Sequence, residues 1–105
     1  MATAAVNQAG LAVRNLQQGS NALVAANNGT RVSQNIATSN TKLNAAAAGF
    51  NGLANKMAAI GNKSAAKNFQ VAAINAATGK VVEAAAAANA GINKLKAAIK
   101  NSTLV

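Results

Sequence analysis

The stretch Ile36-Ala37-Thr38-Ser39-Asn40-Thr41-Lys42-Leu43-Asn44-Ala45-Ala46-Ala47-Ala48-Gly49-Phe50, continued through Leu53 and Met57 to Ile60, places its large apolar side chains on a seven-residue beat. Ile36, Leu43, Phe50 and Met57 fall on one line of sevens, and Ser39, Ala46, Leu53 and Ile60 on another, three residues later. These are the a and d positions of a heptad. A seam that recurs about every 3.5 residues favours helices lying nearly parallel at a shallow crossing angle. Counted onward, the first line passes Ser64, Val71, Thr78, Ala85, Ile92 and Ile99, and the second Lys67, Ile74, Val81, Ala88 and Leu95. The residues expected to pack are therefore Ile36, Leu43, Phe50, Leu53, Met57, Ile60, Val71, Ile74, Ile92, Leu95 and Ile99. The line just before a is polar through its first half, with Asn7, Arg14, Asn21, Asn28, Asn35 and Lys42. Upstream of Gly29 the apolar register differs, running through Val6, Ala9, Val13, Leu16 and Leu23, so a break is expected near Asn28-Gly29.

The rest of the chain points to the same fold class. Of 105 residues 30 are Ala, the strongest helix former, and none is Pro. Val, Ile and Thr are scattered without strand-like alternation. Asn27-Asn28-Gly29 reads as a helix stop, with Thr30 or Ser33 able to cap the next helix. Ile60-Gly61-Asn62-Lys63-Ser64 reads as a second stop and start. Thr78-Gly79 is a third, weaker interruption that the sequence leaves open as a kink or a full turn. The expectation is one all-α domain over residues 1–105, a helical hairpin or three-helix chain with helices near 3–27, 31–60 and 64–100.

The composition argues against catalysis. There is no His, Cys, Asp, Trp or Tyr, and Glu83 is the only acid. General acid–base work needs a group titrating near neutrality, and a single Glu cannot form a carboxylate pair. Ser20, Ser33, Ser39, Ser64 and Ser102 have only lysines as candidate bases. No ligand set for zinc, iron, copper, calcium or magnesium can be assembled, and no Gly-rich phosphate cradle is present. No enzyme activity, cofactor or small-molecule substrate is expected. Asn7, Gln8 and Gly10 interrupt the first stretch and no charged start precedes it, so a Sec-type signal is not expected. No membrane-spanning helix is expected either.

Without the alanines, only 24 large apolar side chains remain. That is a thin supply for a lone domain, and it directs attention to the small residues. Ala45, Ala48, Gly49, Gly52 and Ala59, and Ala84 to Ala88 with Ala90 and Gly91, form surfaces that let helix backbones approach closely. Together with abundant Asn, Gln, Ser and Thr they suit repeated contact between copies, since amides hydrogen-bond across an interface without the desolvation cost of a charge.

Eight Lys and two Arg against one Glu give a net charge of +9. This excess must face solvent, counter-ions or a polyanion. Arg14, Arg31, Lys42, Lys56, Lys63, Lys94, Lys96 and Lys100 are the candidate contacts to nucleic acid or anionic lipid. They are dispersed singly apart from the last three, and only the two arginines could read bases. Any nucleic-acid binding is expected to be sequence-independent. A cationic, membrane-active role through residues 80–100 has few bulky apolar side chains to support it.

Short, rich in Ala, Asn, Ser and Gly, and lacking Cys, His, Pro, Trp and Tyr, the chain as a whole resembles the Hrp-type pilins of plant-pathogen type III secretion systems. The segment Ser33-Gln34-Asn35-Ile36-Ala37-Thr38-Ser39-Asn40-Thr41 is also similar to Asn-rich helical segments of flagellar axial proteins. The resemblance is one of composition and transfers no functional residue. It implies a helical hairpin polymerising into a hollow extracellular tube, with its C-terminal helix toward the lumen and a secretion apparatus as a further partner. The expected function is a non-enzymatic, self-assembling filament subunit in an extracellular appendage. The alternative is a small basic nucleic-acid-binding protein of the cytoplasm.

Overall fold

The computed structural model describes the backbone of residues 2–104 and the side chains of residues 3–100. It holds four helices and, among the described residues, no strand: α1 (Ala2–Asn27), α2 (Val32–Ala59), α3 (Lys63–Ala77) and α4 (Val81–Leu104). The chain is all-α. The helix expected over 64–100 is two helices, because Thr78-Gly79 is a full reversal rather than a kink.

All three turns use one device. Gly29, Gly61 and Gly79 have φ of 84°, 85° and 79°, a region closed to most side chains. In each, the glycine N–H and the next N–H bond back to carbonyls three and five residues earlier: Gly29 to Ala26 and Thr30 to Ala25, Gly61 to Ala58 and Asn62 to Met57, Gly79 to Ala76 and Lys80 to Asn75. This is the Schellman closure, which satisfies the last carbonyls of a helix. The restarts differ. The Asn62 side chain accepts from the Ala65 N–H at 3.1 Å and caps α3. Neither Thr30 nor Ser33 caps α2. Its N-cap is Arg31, at φ 39° and ψ 57° with no side-chain cap bond, and the Asn35 amide donates to the Thr30 carbonyl at 2.7 Å.

The helices follow one another around a square: α1 packs on α2, α2 on α3, α3 on α4, and α4 back on α1. Gly49 approaches Ala12 and Gly19 approaches Leu43, so α1 and α2 are antiparallel. Phe69 meets Gly91, and the Lys94 ammonium donates to the Ser64 hydroxyl, so α3 and α4 are antiparallel too. At the centre the Phe50 and Phe69 rings stack with centroids 6.4 Å apart. Around them lie Leu16, Leu53, Met57 and Leu95, fully buried, and otherwise alanine: Ala5, Ala9, Ala12, Ala46, Ala65, Ala72, Ala76, Ala84 and Ala88 among others.

The four helices are of unequal length, which sets the outline. From the Phe50–Phe69 level α2 runs back eighteen residues to Val32, whereas α3 runs on only eight to Ala77. The first ten residues of α2, 32–41, about 15 Å at 1.5 Å per residue, and the adjoining part of α1 therefore project past the α3–α4 turn as a two-helix tip. At the opposite end α4 continues ten residues beyond Lys94, which sits beside the start of α3. The resulting rod measures 54 × 19 × 18 Å, longer than α2 alone at about 42 Å.

Candidate interaction surfaces

Without cavity, cleft or metal-ligand cluster among the described residues, what this molecule can offer a partner is its outer surface. Two regions stand out, one apolar and one basic, at opposite ends.

The apolar region is the tip. The α2 side chains buried lower down, Phe50, Ala46, Leu43 and Ser39, continue backward at helical spacing to Ile36 and Val32. On α1 the buried line through Leu16 and Gly19 reaches Leu23. The flank on which Val6 and Val13 pack against the core reaches Val24 three turns later. Lower in the rod this face is covered by α3 and α4. On the tip Ala22, Ala26 and Ser39 stay buried, but the large apolar side chains beside them do not: Leu23 is 37% exposed, Val24 55%, and Val32 and Ile36 44% each. The core seam thus runs out onto an open surface.

The basic region lies at the other end. Lys56 is in the last turn of α2, Lys63 and Lys67 are in the first two turns of α3, and Lys94, Lys96 and Lys100 are on the part of α4 that passes them. All six are exposed. Lys56 donates to Gln8 Oε1 at 2.8 Å and Lys94 to Ser64 Oγ at 2.6 Å, which tie two of them to neighbouring helices. Of the eight cations expected to contact a polyanion, the fold gathers Lys56, Lys63, Lys94, Lys96 and Lys100 and adds Lys67. It leaves Arg14 midway along α1, Arg31 in the tip turn and Lys42 half-buried on α2. No spacing in the sequence foretells this, because α3 contributes to it only by reversing direction at Gly61.

The residues expected to pack divide. Leu43, Phe50, Leu53, Met57 and Leu95 are buried, and Ile92 and Ile99 are half-buried. Ile36, Ile60, Val71 and Ile74 are exposed, Ile74 by 65%. The heptad lines hold through α2 but not through α3, which starts a new register after the Gly61 turn and buries Ala65, Ala66, Phe69, Ala72, Ala73 and Ala76 instead. Phe69, off both lines, is the aromatic at the centre. Among the small residues, Gly49 and Gly52 do lie against α1, while Ala45, Ala48 and Ala59 face solvent.

No helix of the described residues is long and apolar enough to cross a membrane. Compared with protein-family models, curated proteins and solved structures, the chain matches none.

Proposed function

We propose that this chain is a non-enzymatic structural subunit whose fold is completed by association with copies of itself, as in a filament or pilus-like tube. One observation carries the reading: the core seam continues onto the two-helix tip, where Leu23, Val24, Val32 and Ile36 are left uncovered. Alanine supplies most of the buried contacts between helices, while among the described residues nine large apolar side chains stay at least 37% exposed. Of these, the four gathered on the tip are the informative ones, since a cluster of exposed apolar side chains marks a contact surface while scattered ones do not. With no His, Cys or Asp and a single Glu, the sequence supplies no acid–base pair, which supports a role without catalysis. Such a subunit fits an extracellular appendage assembled through a secretion apparatus. Sedimentation velocity over rising concentration, with negative-stain imaging at the top of the range, tests the reading. Concentration-dependent oligomers and regular polymers are expected; a monomer persisting at millimolar concentration overturns it.

A second reading rests on the basic end. Six lysines on one end form a sequence-independent phosphate-contacting surface, with affinity arising from counter-ion release. Duplex DNA should be retarded at low salt and released steeply as salt rises. Retardation unchanged by substituting Lys63, Lys67 and Lys96 with Gln would remove this reading.

A further inference from the structure

We infer that the occupant of the open tip is the same tip of a second copy, related by a two-fold axis perpendicular to the rod. This deepens the self-association reading and rests on it. The gap beside each tip, where α3 and α4 stop short, is about ten residues or 15 Å long. It has room for two helices. A second tip is two helices wide and equally long, so each tip fills the vacancy of the other. The pairing is antiparallel, because in a parallel pairing the partner's lower helices would run into α3 and α4. α1 then lies against the partner's α1 and α2 against the partner's α2, and four helices continue unbroken through the pair.

Charge favours the same arrangement. On a +9 chain two copies meet at least cost where cations are few. The tip face presents Leu23, Val24, Val32 and Ile36, with Arg31 in the turn as its charged neighbour. The six lysines of each copy end up at opposite extremes of the pair, beyond the range of unscreened repulsion. The partner's Arg31 arrives at the α3–α4 turn. Glu83, the sole acid, stands there in the first turn of α4, next to the carbonyl end of α3, whose last turn holds no basic residue. Lys80 is in the same turn and makes this match partial. The face is small beside the roughly 800 Å² per partner of a standard interface, so the pair should form in the micromolar range or weaker. An isologous contact is closed, and any longer polymer grows from such pairs through a second, separate contact.

The chain has no cysteine, so single-cysteine variants report cleanly. Ile36 lies near the middle of the tip and hence near the axis, whereas Ile74 is on the outer face of α3. Full-length I36C and I74C are oxidised mildly at equal concentration and resolved without reductant, alongside sedimentation of the wild type, I36K and V24K, with circular dichroism confirming helicity. The expected result is a covalent I36C dimer forming at least tenfold faster than that of I74C, and a dissociation constant raised at least tenfold by both I36K and V24K. If the wild type associates but I74C cross-links as fast, or species larger than a dimer persist in both lysine variants, the tip pairing is wrong while self-association stands. If the wild type stays monomeric at millimolar concentration, both fall.

Discussion

At Gly91 the backbone of α4 lies against the aromatic centre. A Cβ placed there would lie 2.8 Å from Phe69 Cζ and 2.9 Å from Phe69 Cε1. The ring has little room to yield, being fully buried and stacked on Phe50. Gly10, in the middle of α1, has nothing within 4 Å of such a Cβ. The same substitution therefore has opposite outcomes. At both positions Ala removes the roughly 1 kcal/mol that glycine costs a helix interior. At Gly91 the added methyl overpacks the core, which costs about 1–3 kcal/mol. Urea unfolding should show Gly10→Ala stabilised by about 0.5–1 kcal/mol and Gly91→Ala destabilised by up to about 2 kcal/mol. Equal gains at both sites would mean that α4 does not sit against Phe69 as described. Gly19, whose Cβ would meet Leu43 Cδ2 at 2.8 Å and the Leu43 backbone nitrogen at 3.3 Å, is a related close approach between α1 and α2, of which only the side-chain part can shift.

Among the elements, α3 departs furthest from what its sequence announces. Its largest aliphatic residues, Val71 and Ile74, face outward, and five of its six alanines face in. Exchanging Ile74 for Gln should change stability by no more than about 0.5 kcal/mol, as at ordinary surface sites. Exchanging Ala72 for Leu should cost about 1–3 kcal/mol, since Ala72 is fully buried against neighbouring helices. Thermal unfolding at low protein concentration decides between the two, and a large loss from Ile74→Gln would restore the uninterrupted heptad. The contrast shows what the sequence made legible. The helix stops at Gly29 and Gly61 were plain because a φ near +85° demands glycine, and Gly79 obeys the same rule despite its weaker surroundings. The α2 seam was plain because Leu43, Phe50, Leu53 and Met57 are large. The inner face of α3 was not, because a stripe of Ala65, Ala66, Ala72, Ala73 and Ala76 has no hydrophobic contrast with the alanines elsewhere, and periodicity reads contrast. The apolar tip is half visible in the sequence: the heptad line includes Ile36 among the packing residues, but that α3 and α4 stop below it follows from helix lengths that only the folded chain reveals.

Taken as a rod, the molecule is polarised, with an apolar tip whose turn carries Arg31 at one end and six lysines at the other. Their mutual repulsion acts over distances comparable to the Debye length, roughly 30 Å at 0.01 M salt and 10 Å at 0.1 M. The folded state gathers these cations from three helices, whereas the unfolded chain spreads them. Repulsion thus disfavours the native state most at low salt. Lys63 adds to this by standing at the N-terminus of α3, where the helix dipole is itself positive. Raising sodium chloride from about 0.01 to 0.3 M should therefore raise the melting temperature, by several degrees if the relief is near 1 kcal/mol. Replacing Lys63 and Lys67 together by Gln should raise the low-salt melting temperature and flatten its salt dependence. Replacing Arg14 and Lys80 by Gln removes the same formal charge from places the fold keeps apart, and should leave the salt dependence close to that of the parent. Calorimetry at a concentration below association separates the two pairs. Equal flattening by both would show that the repulsion is a property of net charge alone and that the lysine end has no electrostatic identity of its own.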